Sequence, residues 1–111
     1  MRQIHVLFVD DEKELGGIFE DSFASESVVV HSFVDPLQAI KACQDIHFDI
    51  GFLDFRMPQM TGDELAHTLS ASFPIYLVTG ESEPHPAYAF SGILPKPFDY
   101  NRIELIISEV A

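Results

Sequence analysis

Short apolar runs recur along the whole chain and are separated by longer segments of mixed polarity. A short apolar run rich in β-branched or aromatic residues is typical of a strand buried inside a sheet. Five such strands are predicted, at Ile4–Val9, Ser27–Phe33, Phe48–Leu53, Ile75–Val78 and Gly92–Leu94.

The segments between the strands have apolar residues every three or four positions, which is the spacing of an α-helix with one buried face. The first helix is predicted over Glu14–Ala24. Start signals predict three more helices: Asp35 before Pro36, the capping box of Thr61 and Glu64, and Asp99 before the last amphipathic segment.

Strands and helices therefore alternate through the chain. This order predicts parallel strands joined by right-handed crossovers, with helices on both faces of the sheet. The near-continuous apolar strands agree, because a parallel sheet is covered on both sides. The predicted fold class is α/β, a doubly wound five-stranded parallel sheet. With 111 residues and no repeat or linker, we expect a single domain over residues 1–111.

Composition and charge narrow the classes of function. Six basic residues oppose 18 acidic ones, which gives a formal net charge of −12. This is the wrong sign for neutralising nucleic-acid phosphates, so we expect no direct nucleic-acid binding. Cys43 is the only cysteine, which excludes a disulfide framework, and the five histidines show no i, i+4 pair typical of a metal site. No apolar stretch approaches the roughly 18–20 residues that span a bilayer, so we expect a cytoplasmic protein that does not bind membranes.

Polar residues stand where the predicted strands end. Asp10 and Asp11 follow the first strand, Asp54 follows the third, Thr79 follows the fourth and Lys96 follows the fifth. The carboxyl ends of parallel strands lie at one edge of a sheet, where α/β proteins bind their ligands. We therefore expect these five side chains to lie together.

Three carboxylates in one place repel one another unless they face water or a cation compensates them. Mg²⁺ suits one or two carboxylates together with water and phosphate oxygens. With an ammonium group and a hydroxyl nearby, one aspartate can attack phosphorus while the cations neutralise the equatorial oxygens. The sequence therefore predicts Mg²⁺-dependent phosphoryl transfer.

The chain resembles the receiver domains of two-component response regulators over essentially its whole length. The matching segments are VLFVDDEKE, FDIGFLDFRMPQMTG, IYLVTGE and ILPKPF. The resemblance implies a flavodoxin-like fold with strand order 2-1-3-4-5. It also implies phosphorelay signalling, in which a histidine kinase or phosphotransfer protein supplies the phosphoryl group and a change of conformation controls an output domain or effector protein.

The resemblance also implies a role for each site residue. Asp54 would be the phosphoacceptor, and Lys96 the cation that binds the phosphate. The implied Mg²⁺ ligands are Asp10, Asp11, Asp54 and the backbone carbonyl of Arg56. The implied switch residues are Thr79, whose hydroxyl meets the phosphate, Gly80, which leaves room for it, and Pro97, whose cis peptide bond aims the lysine.

Two departures from the family bear on this switch. Receiver domains usually carry Tyr or Phe three positions before the lysine, and here that residue is Ile93, which we interpret as a core residue of the fifth strand. The stretch between the threonine and the lysine is also short and contains Pro84 and Pro86, which disrupt helices. The fourth helix of the family is therefore expected to be short or missing. We expect the output surface to involve Glu81–Ser91 and the last helix.

Two other functions stay open at this point. A pseudo-receiver would bind partners without being phosphorylated. A phosphatase of the haloacid dehalogenase type would need a second aspartate two residues after its nucleophile, where this chain has Arg56. We therefore expect no enzyme activity beyond self-phosphorylation and self-dephosphorylation. The sequence leaves open the kinase, the stimulus, the output partner, a homodimer, and whether the chain is a fragment.

Overall fold

The computed structural model describes residues 2–69 and 71–110. In this part of the chain, strands and helices alternate except between the last two strands. The elements are β1 (Ile4–Val9), α1 (Lys13–Phe23), β2 (Val28–Phe33), α2 (Pro36–Asp45), β3 (Ile50–Asp54), α3 (Gly62–Leu69), β4 (Ile75–Thr79), β5 (Gly92–Pro95) and α4 (Tyr100–Glu109). None of these helices is long and apolar enough to cross a membrane.

The five strands form one parallel sheet in the order β2-β1-β3-β4-β5. The predicted fold class and strand order are therefore confirmed. The register places the carboxyl ends of the strands side by side, with Val9 opposite Leu53, Asp54 opposite Val78 and Thr79 opposite Pro95. This alignment brings the polar residues at the strand ends to one edge of the sheet.

Each face of the sheet has its own apolar core. Under α1 and α4 the core contains five phenylalanines among aliphatic residues, and the rings of Phe8 and Phe19 stack with their centroids 4.3 Å apart. Under α2 and α3 the core is largely aliphatic, with Leu53 from the sheet packed against Leu65 of α3. Helices cover both faces, as the alternation of elements predicts.

The residues predicted to start helices form capping hydrogen bonds. Asp35 accepts from the backbone N–H of Leu37, and Asp99 accepts from the backbone N–H of Arg102. The capping box of α3 is reciprocal. Thr61 N–H donates to Glu64 Oε1 at 2.9 Å, and Glu64 N–H donates to Thr61 Oγ1 at 3.2 Å. Each bond satisfies a backbone donor that a helix terminus leaves unpaired.

No helix forms in residues 80–91, all of which the structure describes. The expected shortening or loss of the helix between the fourth and fifth strands is thus confirmed. The interpretation of Ile93 as a core residue is wrong, because its side chain is 40 % exposed. Leu94, its neighbour in β5, points into the core beneath α1 and α4. Ile93 therefore points to the opposite face, where no helix covers β5.

Candidate functional site

Polar side chains from four strands meet at the carboxyl edge of the sheet. In the described part of the chain, the buried polar residues are Asp10 after β1, Asp54 at the end of β3 and Thr79 at the end of β4. Lys96, directly after β5, reaches this edge, and its backbone N–H donates to the carbonyl of Thr79 at 2.9 Å. Burying a carboxylate is costly unless charge or hydrogen bonds compensate it, so this edge differs from an ordinary strand end.

Three carboxylates form a cluster at this edge. One oxygen from each of Asp10, Asp11 and Asp54 lies within 4.8 Å of the other two. Asp10 and Asp54 are buried, whereas Asp11 is exposed to solvent. The three aspartates predicted to lie together do so, and their individual roles stay predictions.

The ammonium group of Lys96 bridges two of these carboxylates. Its Nζ lies 2.8 Å from Asp10 Oδ2 and 3.0 Å from Asp54 Oδ1. The Lys96–Pro97 peptide bond is cis, as the resemblance implied. One positive charge thus faces a cluster of three acids, which leaves the cluster with an excess of negative charge.

The environment moves the pKa of two groups in the cluster. Burial raises the pKa of Asp54, the hydrogen bond from Lys96 opposes this, and the charge of Asp10 raises it further, to about 6. Burial lowers the pKa of Lys96, but the hydrogen bonds and charges of Asp10 and Asp54 outweigh burial and raise it overall. Lys96 is therefore charged near neutral pH, while Asp54 gives up its proton less readily than an ordinary aspartate.

The carboxylates fit a hard divalent cation. Asp10 Oδ2 is buried, and among the described residues its only close partner is the ammonium group of Lys96, at 2.8 Å. Such an oxygen retains a lone pair that a cation can use. The donor set is all oxygen, and the exposed Asp11 leaves the cluster open to water, which Mg²⁺ retains in most protein sites. The residues present therefore suit Mg²⁺.

A second ion pair lies beside the cluster. Arg56 Nε is 3.0 Å from Glu81 Oε1, and the guanidinium group of Arg56 lies 4.5 Å from the centre of the Phe55 ring. The backbone N–H of Glu81 donates to Thr79 Oγ1 at 3.1 Å. Glu81 was predicted only as part of the output surface, because its ion-pair partner Arg56 is 25 positions away in the sequence. Gly80 is exposed, and a Cβ atom there would meet nothing within 4 Å, so the space beside it is open.

Helix α3 packs directly on the end of β3. The backbone N–H of Gly62 donates to the carbonyl of Phe55 at 2.8 Å. One residue later, Asp63 Oδ2 accepts from the backbone N–H of Ala87 at 2.8 Å, which ties residues 80–91 to α3. The capping box predicts this helix start, but no local pattern predicts the contact between Asp63 and residues 80–91.

Comparison with known proteins agrees with this geometry. Regulatory protein AtoC of Escherichia coli is 29 % identical over 92 % of the chain, which spans 24 % of AtoC. In four further curated relatives, the chain spans between 12 % and 48 % of their length. The structure of the chemotaxis protein CheY4 of Vibrio cholerae is 25 % identical, with a TM-score of 0.84 over 98 % of this chain and 99 % of CheY4.

The response regulator TrrA of Thermotoga maritima, solved in complex with Mg²⁺ and BeF, has a TM-score of 0.84 and 20 % identity over 98 % of this chain and all of TrrA. At that identity the likeness shows the fold alone. The model of the response regulator receiver domain family matches residues 6–108, which is nearly all of the sheet and of the four helices. The chain therefore belongs to the response regulator receiver domain family.

Proposed function

We propose that Asp54 accepts a phosphoryl group in a Mg²⁺-dependent reaction, and that residues 1–111 form one receiver domain of a phosphorelay. The observation that carries this proposal is the position of Lys96 Nζ between the carboxylates of Asp10 and Asp54. An ammonium group held beside a buried, partly compensated aspartate is suited to receive an anionic phosphoryl group at that aspartate.

The phosphoryl donor would be the phosphohistidine of a histidine kinase or of a phosphotransfer protein. A carboxylate oxygen of Asp54 forms a bond to phosphorus as the phosphorus–nitrogen bond of the donor breaks. The electron pair of that bond stays on the imidazole nitrogen, which takes a proton from water. Later attack by water on phosphorus releases inorganic phosphate and restores Asp54. This self-dephosphorylation is the only hydrolysis we propose.

Asp10, Asp11, Asp54 and the backbone carbonyl of Arg56 would hold the Mg²⁺ ion, which when bound neutralises negative charge on the phosphoryl group. Lys96 supplies the second positive charge. Its hydrogen bond to Asp54 Oδ1 supports this role, because the ammonium group already contacts the carboxylate that would carry the phosphoryl group. Because phosphorylation adds nearly two negative charges, the phosphoryl group competes with Asp10 for this ammonium.

Thr79 links the phosphoryl group to the output surface. Its Oγ1 accepts a hydrogen bond from the N–H of Glu81, so its own O–H proton is available to donate to a phosphoryl oxygen. A shift of Thr79 towards the phosphate moves Glu81 and strains the ion pair between Glu81 and Arg56. Residues 81–91 and α4 would then present a changed surface to an output domain or effector protein. The Tyr or Phe rotation of other receivers has no counterpart at Ile93.

Several further points are supported less directly. Relatives of the chain include the sensor kinase CckA of Brucella abortus and a cyclic di-GMP phosphodiesterase response regulator, RpfG, of Xanthomonas campestris. These names are consistent with a kinase partner and with diverse output partners. We propose a cytoplasmic location on the same basis. The charge of −12 argues against direct nucleic-acid binding by these residues.

Beryllofluoride, which mimics an aspartyl phosphate, tests the proposal. We expect Mg²⁺ with beryllofluoride to shift the amide resonances of Asp54, Thr79 and residues 80–91 in a ¹H–¹⁵N spectrum. Asp54→Asn should abolish these shifts, because the amide lacks the carboxylate oxygen that binds beryllium. If the wild-type spectrum does not change, the chain is a pseudo-receiver and the proposal is wrong.

A further inference from the structure

Two histidines on neighbouring strands share a hydrogen bond far from the carboxylate cluster. Nδ1 of His5 in β1 lies 3.0 Å from Nε2 of His31 in β2. In the register, Leu7 is opposite His31 and Val29 is opposite His5, so the two imidazoles are diagonal neighbours on one face of the sheet. No local pattern predicts this pair, because the residues are 26 positions apart.

The rings meet edge to edge. Their centroids are 5.2 Å apart and their planes differ by only 28°. This centroid separation is close to the largest that a 3.0 Å contact between two five-membered rings allows. The two nitrogens therefore point at each other, and exactly one hydrogen atom fits between them. A neutral imidazole has one N–H donor and one acceptor nitrogen, so the neutral pair satisfies this contact.

The contact depends on how many protons the pair carries. With one added proton, the charged ring donates its N–H to the lone pair of the neutral ring, and the contact persists. With two added protons, both facing nitrogens carry a hydrogen atom, and the two N–H groups repel each other. The second proton therefore cannot bind while the rings keep their native positions.

The surroundings of His31 also disfavour its protonated form. Burial lowers the pKa of His31, the charge of His5 lowers it further, and the charge of Glu20 in α1 partly opposes both. The ring of Phe48 packs edge-on against His31 at a centroid distance of 5.2 Å, which supplies apolar surface but no charge. Among the described residues, His5 and Glu20 are the titratable groups whose charges act on His31.

The pair lies at one edge of the sheet. β2 is an edge strand that pairs with β1 alone. Two residues after His31, the carbonyl of Phe33 accepts from the backbone N–H of Asp10 at 3.1 Å, so the end of β2 also supports the first residue of the carboxylate cluster. We propose that the His5–His31 pair is a proton-responsive contact that holds β2 against β1 with at most one added proton and releases β2 when it binds a second.

Imidazole ¹⁵N spectra across a pH titration test this proposal, in an Asp54→Asn background that removes the titration of that carboxyl. We expect the pair to bind its two protons in two separate steps, because the second proton breaks the contact. The amides of Val28–Phe33 should lose hydrogen-exchange protection at the second step. His85, which is exposed in residues 80–91, serves as the reference imidazole in the same spectra.

His31→Gln is the matched variant, because its side-chain amide can offer a donor or acceptor near the position of Nε2 without binding a proton in this pH range. We expect its β2 amides to stay protected at the pH where those of the parent are lost. The proposal is overturned if the two imidazoles titrate together in one step, if β2 keeps its protection after the second step, or if His31→Gln loses protection at the same pH as its parent. If His31→Gln does not fold, the titration of the parent alone decides the question.

Discussion

Gly62 approaches Asp54 so closely that a Cβ atom on Gly62 would lie 2.5 Å from the backbone carbonyl oxygen of Asp54. Real Cβ atoms do not come this near to a backbone oxygen, so only glycine fits at the start of α3 in this packing. The proposed phosphoacceptor is therefore fixed at its backbone by α3 and at its side chain by Lys96.

Gly62→Ala is expected to destabilise the protein by about 1–3 kcal/mol, because the added methyl group must push α3 away from β3. Urea denaturation followed by circular dichroism measures the loss. Gly17→Ala is the matched control. A Cβ at position 17 meets nothing within 4 Å, and alanine is favoured over glycine inside α1 by about 0.5–1 kcal/mol. Equal effects of the two substitutions would contradict the close approach.

The titration of Asp54 predicts a pH dependence of stability without Mg²⁺. Burial and the charge of Asp10 raise the pKa of Asp54 from 3.8 to about 6, against the effect of Lys96. The native protein thus binds this proton more tightly than the unfolded chain, and the stability that it confers is lost as the pH rises from 3.8 to about 6.

Asp54→Asn should remove this loss and be more stable than wild type at pH 8 by on the order of 2 kcal/mol, with the difference vanishing towards pH 4. The lowered pKa of His31 has the opposite sign, since it makes stability rise with pH up to about 6.5. The difference between wild type and Asp54→Asn cancels that contribution. Thermal melts in chelated buffer at several pH values provide the test, and a difference that does not vary with pH would contradict it.

Mg²⁺ should stabilise the wild type through the carboxylate cluster. At a free concentration ten times the dissociation constant, binding to the native state alone adds about 1.4 kcal/mol. Asp11→Asn should remove most of this gain with little effect on the metal-free fold, because Asp11 is exposed. Glu12→Gln also removes one negative charge, at the next residue, but Glu12 lies outside the cluster. This variant should therefore retain the stabilisation by Mg²⁺. Loss of the Mg²⁺ effect in both variants would indicate general charge screening instead of a site.

The hydrogen bond from the Ala87 N–H to Asp63 predicts that a substitution at Asp63 weakens the attachment of residues 80–91 to α3. Asp63→Ala removes the acceptor of the Ala87 N–H, and we expect hydrogen exchange at that amide to become about fivefold faster, as loss of a hydrogen bond of about 1 kcal/mol implies. Asp63→Asn retains an acceptor oxygen and should exchange nearly as slowly as wild type. Identical exchange in wild type and Asp63→Ala would show that this bond does not hold the segment.

Periodicity predicted the architecture because each strand and helix here has a local signature. The reciprocal bonds of Thr61 and Glu64 follow from residues three positions apart, and the strand ends that carry Asp10 and Asp54 follow from the direction of a parallel sheet. The register of β1 and β3 alone is then enough to place these two carboxylates next to each other. For that reason the acidic cluster could be predicted along with the fold.

Contacts between distant residues could not be predicted in this way. Ile93 has the apolar character of a core residue, but its exposure depends on whether another element covers that face of β5. The hydrogen bond of Asp63 depends on how residues 80–91 pack against α3. That of His31 depends on the register of β2 against β1. Nothing local in the sequence encodes these distances.

Mapping the labelled residue tests the central claim most directly. The protein is incubated with Mg²⁺ and acetyl phosphate, reduced with borohydride, which converts an aspartyl phosphate to homoserine, digested, and analysed by mass spectrometry. We expect homoserine at position 54 only when both Mg²⁺ and acetyl phosphate are present, and none in Lys96→Ala or Asp11→Asn at matched times. Homoserine at another aspartate, or none at position 54 in the folded wild type, would contradict the assignment of Asp54 as the phosphoacceptor.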